Sequence, residues 1–289
     1  MKKLSLFSLI LLFAACTERI DIETENSEPV IVIYGVITDE WKPQEIRITR
    51  SAPFFDDRPN AGVSGAQVTV TSSEGKRYEF SERESTPGYY YSSAWKAEAG
   101  KQYSLSVRVD FDRDGTAEHY EASTTVLPPA YLDSVKLAPN RIMGNFTYLL
   151  LAYGRDAASE DYYLFRFAVN GGSVSDRLSR YVVTDDVLFN GQKINGLTLR
   201  RFDDVSNWEN DNPEKRNNSV YLKSGDKLDV EMSMIRKGYF DFINQCLSEI
   251  GRENPMFGAP PSNIVTNISN GGIGYFSGYC TTRTSTLVP

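Results

Sequence analysis

From Val30 onward the chain is built of short stretches in which apolar and polar residues alternate with a period of two, and this pattern limits the fold more than any other feature. A strand turns successive side chains to opposite faces, so such a stretch has one face to bury and one to leave in water. Residues 30–34, 45–49, 66–71, 78–80, 88–91, 103–109 and 120–126 all read this way and are rich in Val, Ile, Thr and Tyr. Glu74-Gly75, Pro87-Gly88 and Asp114-Gly115 supply turns between them. Seven short strands at this spacing predict an antiparallel β-sandwich over residues 30–127. Pro128-Pro129 then ends the ladder, because proline has no N–H to donate to a neighbouring strand.

The second half, residues 131–289, is also β-rich but less regular. Strands are expected at 148–152, 162–169, 181–184, 220–222 and 227–235, with Leu228, Val230, Met232 and Met234 sharing a face. Asn190-Gly191 and Ser224-Gly225-Asp226 read as hairpin turns. One amphipathic helix is predicted over 239–250, where Tyr239, Phe242, Ile243, Cys246, Leu247 and Ile250 fall on one stripe and Gly251 caps the end. Residues 203–218 are polar and read as a long surface loop. The fold class expected is mainly β: a sandwich followed by a second β-rich domain carrying one helix.

Ahead of the strands, Lys2-Lys3, an apolar run over 4–13, Ala14-Ala15 and Cys16 have the order of a bacterial lipoprotein signal, although Phe13 stands where Leu is usual. The apolar run falls short of the roughly 20 residues that span a bilayer. Residues 1–15 are read as the signal peptide and Cys16 as the lipid-bearing amino terminus, which would hold the mature chain outside the cytoplasm on a lipid tether. Residues 16–29 are polar and acidic and read as a tether. The formal net charge of −7 becomes two units more negative once Lys2 and Lys3 leave, which argues against nucleic acid as a partner. Cys246 and Cys280 would remain in an oxidising compartment, and two readings fit them, a disulfide or two buried thiols.

Several motifs together carry a resemblance: residues 29–39, 48–56 and 63–70, Gly88-Tyr89, Gly100–Tyr103, the break at 124–128 followed by Asp133-Ser-Val135, Ser262-Asn-Ile264 and Gly274-Tyr-Phe276. In these the chain resembles the uncharacterised Bacteroidota lipoproteins grouped as domain-of-unknown-function family 4249. The resemblance implies an outer-membrane lipoprotein, an amino-terminal module similar to immunoglobulin or transthyretin-like sandwiches, and association with a TonB-dependent transporter. It implies no catalytic residues.

The sharpest chemical motif is the run from Asp110 to Glu121. Asp110, Asp112, Asp114, Thr116 and Glu121 have the spacing of an EF-hand Ca2+ loop, with Gly115 at its sixth position. The flanks read as strands where that module has helices, so a solvated acidic hairpin tip is the competing reading. For catalysis the chain offers one histidine, His119, and no nucleophile motif beside it. Asp185-Asp186 and Asp203-Asp204 could supply acid and base carboxylates for glycoside cleavage, although loop acids in solvent are the commoner case. Asn270-Gly-Gly-Ile-Gly274 reads as a tight turn before a strand. Among the aromatics, Tyr89–Tyr91, Trp95 and Tyr162-Tyr163 offer flat faces, but strand packing claims many of them. Trp208, alone in a polar loop, is the candidate for ligand or partner contact. Three functions follow as expectations: an accessory protein of a TonB-dependent transporter in nutrient uptake, a stand-alone adhesion or structural lipoprotein, and a glycoside or peptide hydrolase.

Overall fold

The computed structural model describes residues 28–51, 60–250 and 264–289; the expected signal, Cys16, most of the expected tether and Gly251 lie outside the described residues. The first half contributes β1 (Ile31–Thr38), β2 (Lys42–Arg50), β3 (Gln67–Ser72), β4 (Arg77–Arg83), β5 (Thr86–Trp95), β6 (Gln102–Val109) and β7 (Glu118–Thr125). The second contributes β8 (Tyr131–Ile142), β9 (Asn145–Arg155), β10 (Tyr162–Val169), β11 (Gly172–Ser173), β12 (Val182–Asp185), β13 (Lys193–Asp204), α1 (Pro213–Asn218), β14 (Tyr221–Leu222), β15 (Lys227–Ile235), α2 (Lys237–Ile250), β16 (Ile273–Tyr279) and β17 (Thr282–Leu287).

The seven strands expected from periodicity are all present, and alternation sets their burial. In β6, Tyr103, Leu105, Val107 and Val109 are buried while Ser104 and Arg108 face water. They join an eight-stranded sheet of order β16-β1-β2-β5-β4-β3-β6-β7. Its one parallel pair is β1 with β16, running from Val32 opposite Ile273 to Thr38 opposite Tyr279. The far edges are stitched as well. Ser269 N–H donates to Glu121 O at 2.9 Å, Glu121 N–H donates to Ser269 Oγ at 2.7 Å, and Leu127 bridges to Tyr279. Rolling the sheet in this way brings its two edges together and encloses Ile33, Ile46, Val70, Leu105, Val107 and Phe276. The turn at Asn270-Gly271 puts both residues at positive φ, and Gly274 follows at φ +107°. A Cβ on Gly274 would sit 2.1 Å from Ile33 O, so the glycine lets β16 approach β1.

In the second half a four-stranded sheet, β14-β13-β9-β8, faces a second sheet of order β11-β10-β15-β17, with β12 also paired to β10. Leu150, Ala152 and Phe202 from the first meet Tyr163, Phe165, Phe167, Val230 and Met232 from the second. Phe167 and Phe202 pack edge to face with centroids 5.4 Å apart. Both faces of β10 are covered, since Tyr162 and Leu164 on its other side pack with Ile235 against Tyr239, Phe242 and Ile243 of α2. This accounts for the nearly continuous apolar run in β10. Helix α2 also reaches the first half, where Tyr34 and Tyr239 share a hydrogen bond of 2.7 Å between hydroxyls.

Three expectations change. The segment 203–218 is not one loop: Asp203 and Asp204 finish β13, Asp204 accepts from Ser206 N–H to cap a 3-10 turn at Val205–Asn207, and Asn212 caps α1 through Lys215 N–H with Pro213 in its first turn. Short polar side chains that satisfy helix-end N–H groups produce this order. Asn190-Gly191 and Ser224-Gly225-Asp226 are turns but not hairpins, because the strands on either side of each lie in different sheets. Helix α2 starts two residues before the predicted position, and Ile250 at its end is exposed.

Candidate functional site

The acidic motif forms the tip joining β6 to β7. Asp110, Asp112, Asp114 and Glu118 each place a carboxylate oxygen within 4.8 Å of the others. Backbone N–H groups occupy them: Gly115 donates to Asp110 at 3.1 Å, Asp114 to Asp112 at 3.1 Å, Thr116 to Asp114 at 2.7 Å, and Phe111 to Glu118 at 2.8 Å. Arg113 and Gly115 take positive φ to make the bend. The fourth acid is therefore Glu118 and not Glu121. Glu121 lies three residues along β7 beyond Glu118, exposed, with its carboxylate 3.7 Å from His119. The even strand period turns it away from the tip, where an EF-hand would use a helix to bring its twelfth residue back.

His119 is hydrogen-bonded to Ser106 Oγ at 2.8 Å through Nε2, the same nitrogen that faces Glu121. A hydrolytic triad needs the acid on the opposite ring nitrogen, so these three residues form no relay. Asp203 stands 3.9 Å from Lys215 Nζ. Asp204 accepts from Ser206 and, at 2.7 Å, from the Tyr148 hydroxyl. Burial pushes its carboxyl up, and these hydrogen bonds outweigh burial and hold it below its ordinary value. Asp203 and Asp204 thus serve an ion pair and a cap and do not face each other across a cleft.

Trp208 is 44% exposed. Its ring meets Tyr221 edge-on at 5.0 Å, and the Arg216 guanidinium lies 5.3 Å from its centroid. Nearby at the same end of the four-stranded sheet, Asn207 Nδ2 donates to Phe146 O at 2.6 Å. Ile142, Met143, Phe146 and Val205 are also exposed there, Met143 entirely. Trp95, by contrast, is a core residue stacked on Tyr78 at 3.7 Å. Tyr90 is buried in the same cluster, and Tyr163 and Tyr162 are buried in two others.

The disulfide reading is overturned: Cys246 and Cys280 are both free. Cys280 belongs to the core of the eight-stranded sheet and Cys246, on α2, packs in a separate cluster, so the thiols do not meet. Burial, reinforced by nearby acids, pushes their pKa values up to about 11 for Cys246 and about 12 for Cys280, which keeps them as unreactive thiols.

A second acidic group has no local motif in the sequence. Asp156 follows β9, Asp161 precedes β10 and Asp186 follows β12, and their carboxylate oxygens also lie within 4.8 Å of one another. Here the three residues are 4%, 8% and 1% exposed. Asp156 accepts from Gly191 N–H at 2.8 Å and from the Tyr163 hydroxyl, Asp161 from Ser159 Oγ at 2.9 Å, and Asp186 from Asp161 N–H at 2.9 Å. Asp161 and Tyr163 also line a cleft of about 600 Å³ with Tyr131, Leu132, Arg155 and Met234. Only Asp186 was visible in advance, and then as half of a sequence pair with Asp185.

The family described as Domain of unknown function (DUF4249) matches residues 17–285. No curated protein matches the chain. Among solved structures, a DUF4785 family protein from Legionella pneumophila subsp. pneumophila str. Philadelphia 1 is similar at 12% identity and a TM-score of 0.24, over 71% of this chain and 52% of that one. The apo structure of Bacteroides uniformis beta-glucuronidase 3 is similar at 12% identity and a TM-score of 0.23, over 72% of this chain and 23% of that one. This chain thus spans about half the length of the first and about a quarter of the second.

Proposed function

Since the chain belongs to the DUF4249 family, a domain of unknown function matched over nearly its whole length, we propose that it is a lipid-anchored, non-enzymatic accessory protein of the outer membrane that assists a TonB-dependent transporter in nutrient uptake. The observation that carries this reading is the exposed apolar group at one end of the four-stranded sheet, comprising Ile142, Met143, Phe146, Val205 and Trp208. Single exposed apolar residues are ordinary, whereas a group of them at one end of a sheet is the composition of an interaction surface. Aromatic and methionine side chains are the types that concentrate binding energy there. The His119 arrangement, with both partners on one nitrogen, favours binding over acyl transfer.

The test is affinity purification of the chain from detergent-solubilised outer membranes, with partners identified by mass spectrometry. Wild type is expected to bring down a TonB-dependent barrel, and Met143→Asp with Trp208→Ala to lower its recovery by roughly tenfold or more. Circular dichroism checks that the double variant is folded. Recovery of no such barrel, or equal recovery with the folded variant, contradicts the proposal. Cys16→Ser should in addition release the protein from the membrane fraction.

A further inference from the structure

We infer that Asp156, Asp161 and Asp186 form a binding site for one hard divalent cation, of which Ca2+ is the best fit, and that this ion pins together two of the three crossings between the sheets of the second half. Three buried acids converge there, and among the described residues no Lys or Arg pairs with any of them. Burial penalises each charge, and each carboxylate raises the cost of the next.

The second observation is an orphaned atom. Asp186 Oδ2 accepts the Asp161 N–H, while Asp186 Oδ1 is fully buried with no hydrogen-bond partner. Buried polar atoms in folded proteins nearly always have a partner, and an exception calls for an explanation such as a missing ion. A cation beside Asp186 Oδ1 supplies that partner and neutralises the group at once.

The surrounding bonds hold the carboxylates in place. Gly191 N–H and the Tyr163 hydroxyl orient Asp156, Ser159 orients Asp161, and Phe189 N–H closes a turn on Asp186 O at 2.7 Å. Such supporting contacts are what fix ligand carboxylates around a metal. An all-oxygen set with no His or Cys selects a hard cation over zinc or copper. Unequal loops supplying three carboxylates suit the flexible shell of Ca2+ better than the strict octahedron of Mg2+. Water completes the shell and enters from the cleft that Asp161 lines. Because the chain leaves β9 at Asp156, enters β10 after Asp161 and leaves β12 at Asp186, the ion ties the four-stranded sheet to its neighbour.

Calorimetric titration of the purified, chelator-treated full chain with CaCl2 tests this, in wild type, Asp186→Asn and Asp112→Ala. One equivalent of Ca2+ is expected for wild type and for Asp112→Ala, and binding at least about tenfold weaker for Asp186→Asn. Thermal melting in EDTA controls for folding: Asp186→Asn, relieved of one buried charge, should melt no lower than chelated wild type. No heat of binding by wild type, binding lost in Asp112→Ala but kept in Asp186→Asn, or tighter binding of Zn2+ than Ca2+ would each overturn the inference. The membrane-partner proposal is read by a different assay and can fail independently.

Discussion

Among the described residues stand two acidic groups of nearly equal compactness, and they differ in almost every other respect. At the β6–β7 tip, Asp110, Asp112 and Asp114 stand in water with Glu118 half-buried beside them, and each carboxylate receives a backbone N–H from its own loop. Between the sheets, Asp156, Asp161 and Asp186 are withdrawn from water and one oxygen is left without a partner. Two unit charges 4 Å apart repel by about 1 kcal/mol in water but about 4 kcal/mol at the effective dielectric of a protein. The exposed group can bear its own charge. The buried group has the greater need of a counter-ion, although it has no recognisable spacing in the sequence.

The largest effect should come from removing the ion. A ligand present at about a hundred times its dissociation constant stabilises the fold by about 2.7 kcal/mol, so saturating Ca2+ should raise the melting temperature by roughly 5–10 °C over EDTA. Hydrogen exchange followed by mass spectrometry should show slower exchange at 156–161 and 186–192 with Ca2+ and no change at 110–118. A reversal of that pattern would invert the comparison. A middle-sized effect is expected from Tyr163→Phe, which removes the hydroxyl that donates to Asp156, at about 1.5–2 kcal/mol by chemical denaturation. If the loss is the same with and without Ca2+, the hydroxyl supports the fold and not the ion. The smallest effect should be Asp112→Ala, which deletes one exposed hydrogen bond to Asp114 N–H and should cost less than about 1 kcal/mol at either Ca2+ level. A larger, Ca2+-dependent loss would return the ion to the tip.

What the sequence could convey follows the same division between local and distant. Strands β1 to β7 were legible because each is short, alternating and bounded by turns, and α2 because its stripe repeats every three to four residues. Strand β13 was not, since its register shifts at 195–197 and 198–200 break the alternation. Strand β8 carries Pro139, which is tolerated because β8 is the sheet edge. Strand β17 is a polar edge strand whose residues alternate only between half-buried and exposed. That β16 returns to lie parallel beside β1 is a contact across more than two hundred residues, and no local pattern encodes it. The tip at 110–118 was legible down to three of its four acids, whereas the buried trio is assembled from the ends of three strands and exists only after β10 has paired with β12.

The central claim is that burial, and not the spacing of acids along the chain, decides where this protein takes a cation. Native mass spectrometry of the chain in a Ca2+-containing volatile buffer tests it directly by counting ions in wild type, Asp112→Ala and Asp186→Asn. One Ca2+ in the first two and none in the third is the predicted result. A Ca2+ retained by Asp186→Asn and lost from Asp112→Ala would contradict it.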